Sequence, residues 1–277
     1  MVAILVTGAG SGIGKAVAQG AAARGDQVLA TVFAEGEEQS LAAIPSIQTL
    51  RMDVSSTESV VAGFAEADRL LAGTPLHAVV NCAGYCPLGA AELQPIELVE
   101  RTLNINFVGS VRVLQQALPR LRGHGGRLIL LSSLWGKVGG PMLSAYCASK
   151  HAIEALADSA RRETRGQDVH VVLVEPGAVR TPLMDRQVAD AQAAYEALPE
   201  AHRHSYGELY RSYRALLEKS ASGGISAAQC AAVVDRALSA HRPRTRYRAG
   251  SDAKAITLLA GLLSDTTMDR LFKAMLK

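Results

Sequence analysis

Tyr146 and Lys150 stand one helical turn apart in the stretch Ser144-Ala-Tyr-Cys-Ala-Ser-Lys150. The apolar spacing from Ala145 to Arg165 predicts a helix, which puts the phenol and the ammonium on one face. A phenol titrates near ~10 and a lysine near ~10.4. A cation beside the phenol favours phenolate, so Lys150 is expected to lower the Tyr146 pKa toward neutrality. A tyrosine tuned that way can give or take a proton at a carbonyl or alcohol oxygen. Ser133, just past the apolar run Arg127–Leu131, could hold the same oxygen through a hydrogen bond. A Tyr/Lys pair at this spacing also decorates ordinary solvated helices, so the elements around it must carry the argument.

Those elements alternate. Val2–Val6 reads as a buried strand, and Thr7-Gly8-Ala9-Gly10-Ser11-Gly12-Ile13-Gly14 leads from it into an Ala-rich helix reaching Arg24. A strand, a glycine turn and a helix N-terminus in that order make a phosphate cradle, because glycines allow close backbone approach and free N–H groups face the anion. The spacing is G-x-x-x-G-x-G rather than G-x-G-x-x-G. Further strands are read at Gln27–Phe33, Ile47–Met52 (ending at Asp53), Leu76–Val80 (ending at Asn81), Arg127–Leu131, Asp168–Val174 and Arg246–Ala249. Helical patterning occupies Glu37–Ala43, Ser56–Leu71, one long helix over Pro95–Arg122 with Pro119 as a late break, and Ser226–Ala240. This alternation predicts an α/β chain: one Rossmann-type, doubly wound parallel sheet of about seven strands, with helices on both faces, as a single domain over residues 1–277. Gly8, Asp53, Asn81, Ser133 and Pro176 all fall at the carboxyl edge, where such sheets bind ligands. Residues 183–224 carry Tyr195, Tyr206, Tyr210 and Tyr213 and read as a substrate lid or as a helix packed on the body.

Composition narrows the classes. With 48% hydrophobic and 20% charged residues and a net charge of +3, nothing calls for nucleic acid or an acidic membrane surface. The basic cluster His241–Arg248 is short enough for a solvated loop and strand. Cys82, Cys86, Cys147 and Cys230 form no framework spacing and suggest reduced thiols in a cytoplasmic protein. No metal site is expected: Cys82 and Cys86 lack further ligands, and His202-x-His204 suits a polar turn. Met1–Val6 runs straight into glycines without the features of a signal peptide, and Ala255–Leu263 is too short to span a membrane.

Taken together, the motifs resemble the short-chain dehydrogenase/reductase family over about Val2–Thr181. Thr7-Gly8-x-x-x-Gly12-Ile13-Gly14 resembles its cofactor turn and Asp53 its adenine-contacting acid. Asn81-Cys82-Ala83-Gly84 is similar to its N-N-A-G, with Cys82 in place of the second asparagine. Asn106-Phe-Val-Gly109 resembles the segment of its catalytic asparagine, Ser133, Tyr146 and Lys150 its triad, and Pro176-Gly177-Ala-Val179-Arg-Thr181 the segment holding the nicotinamide amide. The resemblance implies hydride transfer between a nicotinamide and a carbonyl or alcohol carbon. Tyr146 would be the acid or base, Ser133 would polarise the oxygen, and Lys150 would bond the ribose. Asn106 would hold a relay water. Ser11, Ile13, Phe33, Val54 and Ala83 join the implied cofactor contacts. A homodimer or homotetramer is expected on the same ground.

The cofactor is NAD or NADP, with NAD favoured. Thr31, Val32 and Phe33 after the second strand carry no charge, whereas Glu35, Glu37 and Glu38 would repel a 2′-phosphate and Lys15 could offset them. Local wording around Ser133, Tyr146, Glu175 and Tyr247–Lys254 is similar to hydroxysteroid and retinol dehydrogenases. That implies a small-molecule, bulky and hydrophobic alcohol or ketone, sterol-like or aryl, in a pocket drawing on Leu134, Trp135, Met142, Leu143, Met184 and the lid tyrosines. The alternatives are a reductase of 3-oxoacyl thioesters or small ketones, and a dinucleotide-sensing regulator without turnover. The intact Asn106, Ser133, Tyr146 and Lys150 set speaks against the last.

Overall fold

The apolar runs assemble into a parallel sheet in the computed structural model, which describes residues 2–276. The first half contains β1 (Ala3–Thr7), α1 (Gly12–Ala23), β2 (Gln27–Val32), β3 (Ile47–Arg51), α2 (Thr57–Leu71) and β4 (Leu76–Asn81). Next come α3 (Ile96–Leu103), α4 (Gly109–Leu121), β5 (Gly126–Leu131), α5 (Ser144–Glu163) and β6 (Val169–Pro176). Short β7 (Val179–Arg180) leads to α6 (Pro182–Glu196), α7 (Glu200–Gly223), short β8 (Ile225–Ser226) and α8 (Ala227–Ser239). The chain closes with β9 (Arg246–Ala249), α9 (Ser251–Leu262) and α10 (Asp265–Met275).

Seven strands pair in the order β3-β2-β1-β4-β5-β6-β9, each parallel to its neighbour. Every residue of β1 is buried, because successive side chains enter two different cores. Ile4 and Val6 pack with α1 and α8 on one face, while Ala3 and Leu5 pack with α2, α4 and α5 on the other. A strand covered on both faces reads as continuously apolar rather than alternating. The strand order reverses between β1 and β4, which opens a crevice at their carboxyl ends. A third apolar cluster, with Leu143, Cys147, Tyr210, Tyr213 and Leu217, fastens α6 and α7 over that edge.

Local signals set several boundaries. Ser56 accepts a hydrogen bond from the Ser59 N–H (3.1 Å) and caps α2. Ser226 and Gln229 form a reciprocal capping box that starts α8. The long helix expected over Pro95–Arg122 is instead two α-helices joined by a wide π-turn at Asn104–Val108. Pro119 lies in the last turn of α4 and does not make the break. Glu37–Ala43 forms only a short 3₁₀ turn over Glu37–Ser40. The helices α9 and α10 and the parallel β7–β8 pair were not expected from the residue pattern.

Candidate active site

The glycine turn packs as tightly as its spacing suggested. Gly8 has a φ of 62°, and a Cβ there would come within 2.8 Å of the Ala83 Cα. A side chain at Gly14 would overlap the Gly8 carbonyl. Only glycine meets both demands. Ser11 caps α1 without a side-chain hydrogen bond, and no acid occupies the first turn of that helix. The helix N-terminus therefore keeps its N–H donors and positive dipole end for an anion. A cleft of about 760 Å³ opens there, and Gly8, Ser11, Gly12, Ile13 and Gly14 form its floor. Phe33, Asp53, Val54, Ala83 and Gly84 continue the wall, and Thr181 joins it beside Gly12. These residues suit a dinucleotide: glycines exclude side chains where a pyrophosphate would lie, and exposed Phe33 offers a ring face beyond it.

Asn81 belongs elsewhere. Its side chain is buried, accepts from the Thr7 hydroxyl (2.6 Å) and donates to Ser110 Oγ (2.8 Å). Thr7 Oγ1 in turn accepts from the Ala83 N–H (3.2 Å). The expectation of a cofactor contact at Asn81 is corrected: the residue ties the β1 and β4 ends together behind the cleft.

A second cavity of about 250 Å³ continues from the first at the ends of β5 and β6. Ser133, Tyr146 and Lys150 share it with Pro176, Gly177 and Val179. Ser133 caps a short turn and accepts from the Trp135 N–H (3.2 Å). Lys150 is buried, donates from Nζ to the Leu131 carbonyl (2.7 Å) and sits 5.6 Å from the centre of the Tyr146 ring. Burial lowers its pKa to about 8, against the opposing pull of Cys86, Cys82 and Glu154. Tyr146 moves the other way. Burial pushes its phenol well above the ordinary range, Cys86 adds to this, and a hydrogen bond with Ser133 opposes it. The expected lowering by Lys150 is corrected: the ammonium lies over the ring face, and desolvation of phenolate outweighs it.

Asn106 sits fully buried inside the π-turn. Its Nδ2 donates to the Tyr85 carbonyl (2.8 Å) and Ser149 Oγ (2.9 Å), while Oδ1 accepts from the Tyr85 N–H (2.7 Å). The side chain thus couples the loop after β4 to α5, and π-turns recur at such positions.

Leu134, Trp135, Leu143 and Met184 line the second cavity. Met142 does not. It is buried in the cluster beneath α6 and α7, with a φ of 66°, and its carbonyl accepts from the Gly89 N–H (2.8 Å). Residues that the spacing did not reveal also reach the cavity: Cys86, Gln187, Asp252 and Met275. Gln187 Nε2 donates to Cys86 Sγ (3.0 Å). Of the lid tyrosines, Tyr213 lines the cavity, whereas Tyr210 accepts from the Ala90 N–H (3.2 Å) outside it.

Comparison with known proteins agrees with this arrangement. Residues 2–192 match the model of the short chain dehydrogenase family. Retinol dehydrogenase 7 of Rattus norvegicus is 32% identical over 279 residues, covering 96% of this chain and 87% of that protein. The 17-beta-hydroxysteroid dehydrogenase type 6 of Homo sapiens is 30% identical over 258 residues, covering 91% and 81%. A short-chain dehydrogenase from Streptomyces avermitilis superposes with a TM-score of 0.78 at 25% identity, covering 98% of this chain and 95% of that one. The hydroxysteroid and retinol dehydrogenase wording read from the motifs thus has counterparts among the relatives. A sheet reversing at β1 and β4, a glycine cradle and a matching family model make this chain a member of the short-chain dehydrogenase/reductase family, an NAD(P)-dependent oxidoreductase of alcohols and ketones.

Proposed function

We propose that the chain interconverts a bulky, apolar secondary alcohol and its ketone, sterol-like or aryl, with Tyr146 exchanging the proton at the substrate oxygen. The observation that carries this is the apolar wall of Leu134, Trp135, Leu143 and Met184 around the cavity that holds Tyr146 and Ser133. The bound nicotinamide supplies the hydride chemistry. Ser133 orients the substrate oxygen, Tyr146 gives or takes its proton, and Lys150 holds a ribose hydroxyl beside them. The amide of Asn106 is spent on Tyr85 and Ser149. A relay water at this residue therefore falls to its main-chain carbonyl, which accepts one bond from the Ser110 hydroxyl (2.5 Å). Residues 183–224 act as the lid, latched by Tyr210 to Ala90 and by Tyr206 to Glu92.

Size sharpens the reading. Pockets for drug-sized ligands span about 300–1,000 Å³; the cavity of about 250 Å³ lies just below that range and continues into the cleft of about 760 Å³. A screen following reduced-nicotinamide absorbance would include steroid alcohols, retinol, aryl and alkyl secondary alcohols and acetoacetyl thioesters. Turnover of an apolar ring alcohol is the expected result. Activity confined to thioesters or small ketones would transfer the assignment to that substrate class.

NAD is the favoured cofactor. The Glu37 carboxylate folds back to accept from the Phe33 and Ala34 N–H groups (2.9 and 3.1 Å) and packs against Gly10 at the rim of the cleft. An anion there repels a 2′-phosphate. One cation near that rim, Arg51, is engaged with the Phe33 carbonyl (3.1 Å) and Glu35 (3.6 Å). Steady-state kinetics with both dinucleotides should give a kcat/KM at least about tenfold higher with NAD, a difference near 1.4 kcal/mol. A preference for NADP would overturn this lean.

A further inference from the structure

The segment Tyr247–Lys254 stands out in the sequence yet supplies none of the groups assigned a role above. Its course explains where it acts. β9 ends at Ala249, Gly250 reverses the chain with a φ of 106°, and α9 begins at Ser251. An acid in a first helical turn ordinarily serves its own helix end. Asp252 instead reaches across the sheet edge, and its Oδ2 accepts from the Ala178 N–H (2.6 Å). The adjoining Gly177 N–H donates to the Ala249 carbonyl (2.9 Å). A side chain at Gly177 would overlap the Asp252 carboxylate, so the glycine is needed for this approach rather than for its own dihedral angles. On the other side, the Ala178 carbonyl accepts from the Ile225 N–H (3.1 Å), and Val179–Arg180 pairs with Ile225–Ser226.

The loop Pro176–Thr181 is therefore suspended between two anchors: β8 holds its outer side, and Asp252 holds the peptide next to Pro176 and Gly177. Both anchors lie far away in sequence. Asp252 lines the same cavity as Gly177, Val179 and Lys150.

We propose that Asp252 is a positioning residue for the nicotinamide-binding face of the Pro176–Thr181 loop, acting through the Ala178 N–H. The proposal rests on the reading of that loop as the nicotinamide holder. A charge-assisted hydrogen bond to the backbone is among the stronger kinds, and its loss frees the loop where the nicotinamide half must dock. The adenosine half, held by the glycine turn, Phe33 and Asp53, is untouched.

The test compares binding of NADH and of ADP-ribose, which lacks the nicotinamide, to the full chain by fluorescence titration and calorimetry. Asp252→Ala should weaken NADH about tenfold and leave ADP-ribose within about twofold. Asp252→Asn keeps an oxygen acceptor for Ala178 and should retain most of the NADH affinity. Equal weakening of both ligands, or no change in either, overturns the proposal. Thr181→Ala separates the underlying reading: if that variant weakens NADH selectively while Asp252→Ala does not, the loop holds the nicotinamide without help from Asp252. If Thr181→Ala leaves the NADH to ADP-ribose ratio unchanged, the loop assignment itself fails.

Discussion

Replacing Tyr146 by phenylalanine should lower kcat by about 10²–10⁴ while leaving the Kd for the reduced dinucleotide within about twofold. The ring keeps its volume and its place on α5, so only the hydroxyl beside Ser133 is lost. Burial and Cys86 hold that hydroxyl protonated, which suits it to donate to a developing alkoxide during ketone reduction. The sign for pH dependence follows. A proton donor with a raised pKa is fully loaded at neutrality, so reduction should be flat from about pH 6 to 8. Alcohol oxidation needs the same group deprotonated, and its rate should rise with pH over that range. Stopped-flow and steady-state assays in both directions, with Tyr146→Phe beside the parent, measure all of this. Residual turnover above about a tenth of the parent would remove Tyr146 from its assigned role. A falling rate of oxidation with rising pH would contradict its protonation state.

Much of the frame was legible because it depends on periodicity and backbone chemistry. Runs such as Ala3–Thr7 and Leu128–Leu131 are buried on two faces and leave little choice but a parallel sheet. Gly8 and Gly14 signalled the cradle because a side chain there would overlap backbone, and Gly12 because its φ of 54° favours glycine. What escaped depends on contacts between distant segments. Nothing in the spacing of Asn104–Val108 distinguishes a π-turn from the α-helix on either side. Asn81 and Met142 carry plausible side chains at plausible edges, but hydrogen bonds to Thr7 and Ser110 turn the first inward and the Gly89–Met142 bond fixes the second. Gln187 and Asp252 reach the cavity only because α6 and α9 fold back over it. The pKa of Tyr146 departs for a related reason: the i,i+4 spacing placed Lys150 nearby, yet the apolar surroundings of the half-buried phenol were invisible in one dimension.

Lys150→Met should give a protein that is inactive but harder to unfold. The fold lowers the lysine pKa from 10.5 to about 8, which means that the buried site disfavours the charged form. At neutral pH the unfolded chain holds that proton at no cost, whereas the folded chain holds it against desolvation, a penalty of about 3 kcal/mol at 1.36 kcal/mol per unit. Removing the Nζ also deprives the Leu131 carbonyl of its donor, which costs about 1 kcal/mol. The balance of about 2 kcal/mol should raise Tm by about 5 °C at pH 7. Stability rises with pH wherever the unfolded state binds more protons. Between about pH 8 and 10.5 the unfolded lysine is charged and the folded one neutral, so the parent recovers stability across that window. The advantage of the variant is therefore full below about pH 8 and absent above about pH 10.5. Turnover should fall at least about 10²-fold, with weaker dinucleotide binding, because the ribose partner is gone. Thermal melts at both ends of the window decide the matter. A variant less stable than the parent at neutral pH would mean that Lys150 is held as a contributor to the fold. A more stable, inactive one would mark it as a group kept charged in a dry site for the chemistry alone.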